Sequence, residues 1–184
     1  MAAMAYADFA TPDQMEKRSQ GAITAATHPF LEQELAAASR AIRDHCGWHI
    51  AEREAITLRH RGPFTSRLWL PAMEVASIDT ATVDDVTYDV ATVDFDPDTG
   101  WTSLVGRRWD VTYTAGHEDV PETITTLALH IAARALGSPL GITREQAGAV
   151  SVGHTLVAPG ASGGTAILPH EAEQLAPYRI GALP

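Results

Sequence analysis

The strongest constraint on the fold is a change of period within residues 109–136. From Trp109 to Thr114, Val111 and Tyr113 alternate with Asp110, Thr112 and Thr114, the two-residue pattern of a strand with one face on a core. Gly116 then breaks the strand. Asp119 is placed to cap a helix whose first turn holds Pro121, which needs no amide partner, and Glu122, which suits the positive end of the helix dipole. Beyond it, Ile124, Leu127, Ile131 and Ala135 mark one face, and Leu129, Ala132 and Leu136 mark another. That apolar surface is wider than a single stripe and predicts a helix packed on two sides. Gly137, Ser138 and Pro139 supply its stop.

The rest of the chain arranges itself around this junction. A helix is expected from about Pro29 to Cys46, with Leu31, Leu35, Ala38 and Ile42 at helical spacing and Gly47 as terminator. A shorter one is signalled at Thr11-Pro12-Asp13-Gln14, where Thr11 caps and Gln14 reaches back. Between Trp48 and Thr114 the pattern changes to short extended segments: Ile56 to Leu58, Arg67 to Leu70, Val75 to Val83, Val86 to Val93, Trp101 to Val105 and Trp109 to Thr114. Turn signals divide them at Arg61-Gly62-Pro63, Pro71-Ala72, Asp84-Asp85 and Asp96-Pro97-Asp98-Thr99-Gly100. Hairpin spacing, with no crossover helices, makes the sheet antiparallel. Thr143-Arg144-Glu145-Gln146 is a capping-box pattern for a brief helix, and a glycine-, alanine- and serine-rich stretch follows to Thr165. A short amphipathic piece spans His170 to Ala176.

The fold class expected is therefore α+β: a helical body (helices about 29–46 and 121–136), a small antiparallel β region (about 48–114) and an extended C-terminal arm. The corresponding divisions are an N-terminal arm over 1–27, a core over 28–146 and the arm over 147–184.

An apolar content of 45% suffices for a core, and a net charge of −10 argues against a surface that grips phosphates. An acidic wall repels a passing duplex instead. Cys46 is the single cysteine, so no internal disulfide is expected and a reducing cytoplasm fits. No basic segment precedes an apolar run at the start, and no stretch approaches the roughly 20 apolar residues of a membrane span. A protein made in the cytoplasm, without a membrane partner, is the expectation.

Catalytic and metal chemistry find little footing. His45 and His49 flank Cys46 at a spacing that would put two imidazoles on one helix face, but Gly47 interrupts that helix and no third ligand stands at a recognisable distance. Asp94, Asp96 and Asp98 imitate half a calcium loop, with Thr99 and Val105 where glycine and a bidentate glutamate belong. Asp-Pro-Asp-Thr-Gly is turn chemistry without any ion. The serines lack a nucleophile-elbow context, and Gly160, Gly163 and Gly164 precede no lysine. No catalytic residue, metal or cofactor is expected, and the chain is not read as an enzyme. Arg59, Arg61, Arg67, Arg107 and Arg108 lie in or beside the sheet region, where a solvated face is the simpler reading.

Taken in order, the helix ending in Asp44-His45-Cys46-Gly47-Trp48-His49-Ile50, the pair Arg67-Leu68-Trp69-Leu70-Pro71 and Val75-Ala76-Ser77-Ile78, and the run from Val111 to Pro121 resemble the head-to-tail connector (adaptor) proteins of long-tailed bacteriophages, of the actinobacterial-phage type. The resemblance covers about residues 8–140. It implies a structural virion protein in the neck, synthesised in the host cytoplasm, forming a homo-oligomeric and usually dodecameric ring. Such a ring lies between the portal protein and the next neck protein, the stopper, and extends a channel through which genomic DNA passes without sequence-specific binding. Ile124, Leu127, Leu129, Ile131 and Leu136 then become ring-interface candidates, because a two-faced helix suits a heterologous contact. Leu175, Tyr178, Arg179 and Ile180 become candidates for docking on the portal or a neighbour. A stopper ring is the nearest alternative. A small zinc-dependent hydrolase on His45, Cys46 and His49 and a calcium-dependent adhesion module on Asp94, Asp96 and Asp98 are the remote ones.

Overall fold

A computed structural model describes residues 6–137, 144–147, 150–153 and 164–181, the strands at 144–147 and 150–153 through their backbone alone. The fold is mixed α+β, as expected, and the chain divides into two compact units. One comprises Met1–Cys46 and Pro121–Pro177, the other Gly47–Val120 and Tyr178–Pro184.

The first unit is helical. Its α1 (Pro12–Arg18) starts with the capping box that the sequence signals: Thr11 Oγ1 accepts from the Gln14 amide, and the Gln14 side chain accepts from the Thr11 amide. Helix α2 (Leu31–Cys46) turns Leu31, Leu35, Ala38, Ile42 and Cys46 inward. Each fully buried leucine or isoleucine contributes about 1.5–3 kcal/mol relative to exposure. Ser39 is buried among them because its hydroxyl donates to the Leu35 carbonyl at 2.8 Å and accepts from the Phe9 amide at 3.0 Å, which fastens the N-terminal segment to α2.

Helix α3 (Glu122–Gly137) packs chiefly on α2 and also on α4 (Pro169–Leu175). These two neighbours account for its wide apolar surface. Arg144, Glu145 and Gln146, expected in a brief helix, lie in a strand, and Thr143 is outside the described residues. Arg144–Ala147 is strand β5 and pairs antiparallel with β6 (Val150–Gly153), from Arg144↔Gly153 to Ala147↔Val150. A capping pattern supplies one turn at most, and with no apolar stripe behind it the cost of helix nucleation is not recovered. Within the expected C-terminal arm, α4 coincides with the amphipathic piece at His170 to Ala176, and much of the glycine-rich stretch lies outside the described residues.

The second unit is built on a four-stranded antiparallel sheet in the order β1-β4-β2-β3, comprising β1 (Glu54–Thr65), β2 (Val75–Val83), β3 (Val86–Tyr88) and β4 (Gly106–Ala115). Period two sorts its faces. Tyr113 lies opposite Ile56 and Ile78, and Val111 opposite Leu58 and Ala81, on the core face. The other face is polar: Thr57 and Thr112 hydroxyls meet at 3.0 Å, and Arg59 pairs with Asp110 at 3.0 Å.

Three strand boundaries differ from the sequence reading. Strand β1 runs through Arg61-Gly62-Pro63 instead of turning there, and the extra residues form an irregularity between the pairs Arg61↔Arg108 and Thr65↔Gly106. Pairing resumes where Gly106 has no side chain; a Cβ there would lie 2.3 Å from Val83 Cγ1. Strand β3 stops at Tyr88, because the Asp89 carboxylate accepts from the Ala91 amide at 3.1 Å and caps a 3-10 turn over Val90–Thr92. The segments at 67–70 and 101–105 are joined through the single bridge Trp69↔Trp101, not as full strands. The turn at Asp84-Asp85 is present, both residues at positive φ.

Candidate functional site

The sheet's core face is incompletely covered at one end. Ile56 and Leu58 on β1 are half-buried, whereas Val111 and Tyr113 opposite them are fully buried. There a groove of about 630 Å³ opens, lined by Leu58, His60, Phe64, Thr65, Ser66, Arg67, Leu68, Trp69, Pro71, Trp101 and Trp109. Its size falls in the range of small-ligand and side-chain pockets.

Local structure fixes each wall. His60 stacks on Trp109 with ring centroids 5.3 Å apart and planes at 22°, and it lies flat because Gly62 beside it has no side chain; a Cβ there would meet His60 Nε2 at 2.3 Å. The opposite wall is tied by backbone bonds: Leu68 N to Leu104 O at 2.9 Å, Thr102 N to Leu68 O at 2.9 Å and Leu70 N to Gly100 O at 2.8 Å. Gly100 takes φ +74, and any Cβ there would strike the Leu70 carbonyl at 2.4 Å. Trp69 and Trp101 present tilted rings 6.5 Å apart, and the Trp69 indole donates to the Thr99 carbonyl at 2.9 Å. Thr99 in turn donates at 2.6 Å to Asp96, whose carboxylate also accepts from the Asp98 amide. The Thr99 hydroxyl first, and the Asp98 amide second, hold the Asp96 pKa below its ordinary value. The Asp96 carboxylate thus organises the turn that carries Trp101.

Phe64 stands at the edge with 58% of its surface exposed. Among the described residues, the buried Thr65 Oγ1 and Trp109 Nε1 have no hydrogen-bond partner. Trp109 Nε1 faces Gly106, 3.2 Å from the place of a Cβ. Arg61 and Arg67 are exposed and, among the described residues, form no ion pair, whereas Arg59 pairs with Asp110 and Arg108 with Asp84 and Asp85. Of the five arginines in or beside the sheet, Arg59 and Arg108 are thus paired with acids, and Arg67 lies in the lining of the groove. No local sequence motif marks this groove. The available signal is that three of the four tryptophans fall within residues 69–109.

The residues chosen from sequence lie elsewhere. Ile124, Leu127, Leu129 and Ile131 are buried within the chain, and Leu136 is half-buried. Leu175 is fully buried in the helical unit. Tyr178, Arg179 and Ile180 belong to the β unit, and two of them are engaged there. The Trp48 indole donates to the Tyr178 carbonyl at 2.6 Å, the Tyr178 ring meets His117 edge-on at 5.9 Å, and Ile180 lies against Gly47, where a Cβ would approach its Cγ1 to 2.9 Å. Arg179 is exposed.

Of the two histidines near Cys46, His49 is committed to packing. His49 is buried, with Nε2 3.0 Å from the Ala115 carbonyl, and Cys46 is buried. Among the described residues, no three His, Cys, Asp or Glu side chains are grouped to hold a metal ion, and no helix is long and apolar enough to cross a membrane. In the helical unit, Arg134 forms a bidentate pair with the buried Glu171 at 2.6 and 3.2 Å, and Glu171 also accepts from the Leu168 amide at 2.8 Å. That pair is structural: it closes the start of α4 onto α3. No protein-family model matches this chain, and no curated protein matches it.

Proposed function

We propose that this chain is a structural virion protein that forms a ring between portal and tail, a head-tail adaptor that extends the DNA channel and supports assembly of the neck. The observation that carries the reading is the junction from strand to helix. Strand β4 ends at Ala115, Gly116 takes φ +115, and α3 follows after a short connection. At Gly116 a Cβ would lie 2.6 Å from His49 Nε2 and 2.9 Å from the Glu52 carbonyl, so the glycine in the connector-like run from Val111 to Pro121 is packed against His49 of the other connector-like run, Asp44 to Ile50, and against the backbone just after it. Two motifs that resemble the connector family separately are thus parts of one packed feature.

Charge supports the same reading. A chain of net charge −10 repels DNA, which suits a conduit through which a genome must slide. Exposed large apolar residues supply sticky surface: Phe30 in the helical unit, and Phe64, Val86, Tyr88, Val90 and Val105 in the β unit. The partners in this reading are further copies of the chain, the portal protein and the stopper. The site is the virion neck.

The test is the particle mass of the purified chain, alone and mixed with the portal ring from the same genome, by light scattering after size exclusion. A portal complex carrying many copies is the expected result. Intact portal that takes up none of the chain overturns the adaptor role, and uptake by a preformed portal-adaptor complex instead moves the chain one layer down, to the stopper.

A further inference from the structure

We infer that Phe30 of one copy seats in the aromatic groove of the next copy, so that ring contacts run from the helical unit of one subunit to the β unit of its neighbour. The inference rests on the ring reading. Phe30 is the most exposed large apolar side chain among the described residues, with 68% of its surface open, at the point where α2 begins. Its backbone is fixed: the Phe30 carbonyl accepts from the Glu34 amide at 3.0 Å, and the Leu31 amide donates to His28 at 3.0 Å. A backbone already fixed need not be ordered on docking, and aromatic anchors entering preformed pockets are the residues on which interfaces depend.

The groove is complementary in shape and in charge. Trp69 and Trp101 offer tilted ring faces suited to offset or edge-on contact with another aromatic ring, and the groove is large enough for the phenylalanine and its flanks. Phe30 is followed by Glu32 and Glu34, whereas Arg67 at the groove is exposed without an acidic partner among the described residues. Acidic flanks on the knob and a basic rim on the hole orient the encounter and disfavour the reverse fit, since knob against knob sets acids against acids. A knob and a hole are non-identical patches, so when each copy engages a different neighbour the contact is heterologous, the kind from which closed rings are built.

Two exposed positions allow a test without disturbing either core: Phe30→Glu removes the knob, and Ser66→Glu places a carboxylate in the groove. Each variant and the native chain are measured for mass alone and with the portal ring, and a photoreactive benzoyl-phenylalanine at position 30 is cross-linked and mapped by mass spectrometry. Either substitution is expected to weaken association about 30-fold or more. Mixing the two variants is expected to restore one contact per pair and give dimers, because one keeps the groove and the other the knob. The expected cross-link joins position 30 to residues 58–71 or to Trp101 of another copy. A cross-link to the portal, to the same chain or to another surface overturns the inference. So does a Phe30→Glu chain that joins the portal in the native copy number, an outcome that leaves the adaptor reading intact. Knob-dependent association without any uptake by the portal supports the contact and overturns the adaptor reading.

Discussion

The two units of this chain solve the same problem differently. The helical unit covers its apolar surface: α3 is buried along a broad face and packs on α2 and α4, and Phe30 is the unit's only strongly exposed large apolar side chain among the described residues. The β unit leaves surface bare. Its sheet buries one face well at β4 and β2, half-covers β1, and ends in a groove walled by Trp69, Trp101 and His60, with Phe64, Val86, Tyr88, Val90 and Val105 exposed around the sheet. A helix in a bundle can be covered by two neighbours within the chain, while a sheet has edges and a second face that one short chain cannot always cover. Large apolar side chains are thus covered more completely in one unit than in the other.

That contrast can be broken most severely in the helical core. Ile131→Ala is expected to cost about 2–5 kcal/mol in chemical denaturation, with loss of hydrogen-exchange protection in α2 and α3. Equal loss throughout the β unit would mean that the units are not separately stabilised. In the β unit, Gly116→Ala is expected to cost about 1–3 kcal/mol, because the positive φ and the approach of the Glu52 carbonyl leave no room for a Cβ. Unchanged stability would remove the packed junction as a support for the proposed function.

A polar test sharpens the comparison. Glu171→Gln keeps the shape of the Arg134 pair but removes its charge, and a loss of about 1.5–3 kcal/mol is expected by thermal melting. The exposed pair Arg59 with Asp110 on the sheet is expected to contribute less than about 1 kcal/mol in a double-mutant cycle. The smallest effect is on pH. Partial burial first, then the positive charges of Arg18, Arg134 and His170 against the opposing Glu171, hold the His130 pKa below its usual value of about 6.5. The unfolded chain therefore takes up this proton more readily than the folded one. The associated stability is complete above about pH 6.5 and is lost as pH falls through the folded value. Replacing His130 with Gln is expected to flatten the decline in melting temperature below pH 6.5; an unaltered slope would assign that decline to other groups.

Local signals were read most faithfully where they act on neighbouring residues. The Thr11 capping box, the stop at Gly47, the break at Gly116 and the paired aspartates of the β2-β3 turn all form as the sequence indicates, because caps and turns are decided within four residues. Reading failed where pairing partners are distant. The Arg61-Gly62-Pro63 turn became part of β1 because β4 supplies a partner at Gly106, and Arg144 to Gln146 are in a strand because β6 offers backbone bonds. The aromatic groove escaped notice because Phe64, Trp69, Trp101 and Trp109 each look like core residues alone.

By itself, the sequence determined the fold class, the existence and end of the helix that stops at Cys46, the strand-glycine-helix junction and the acidic character of the chain, since periodicity, capping and charge are local or additive properties. Only the tertiary structure decided which apolar residues are left over. Burial depends on what the rest of the chain brings to a surface, so Ile124 and Leu127 are covered while Phe30 and Phe64 remain open to solvent.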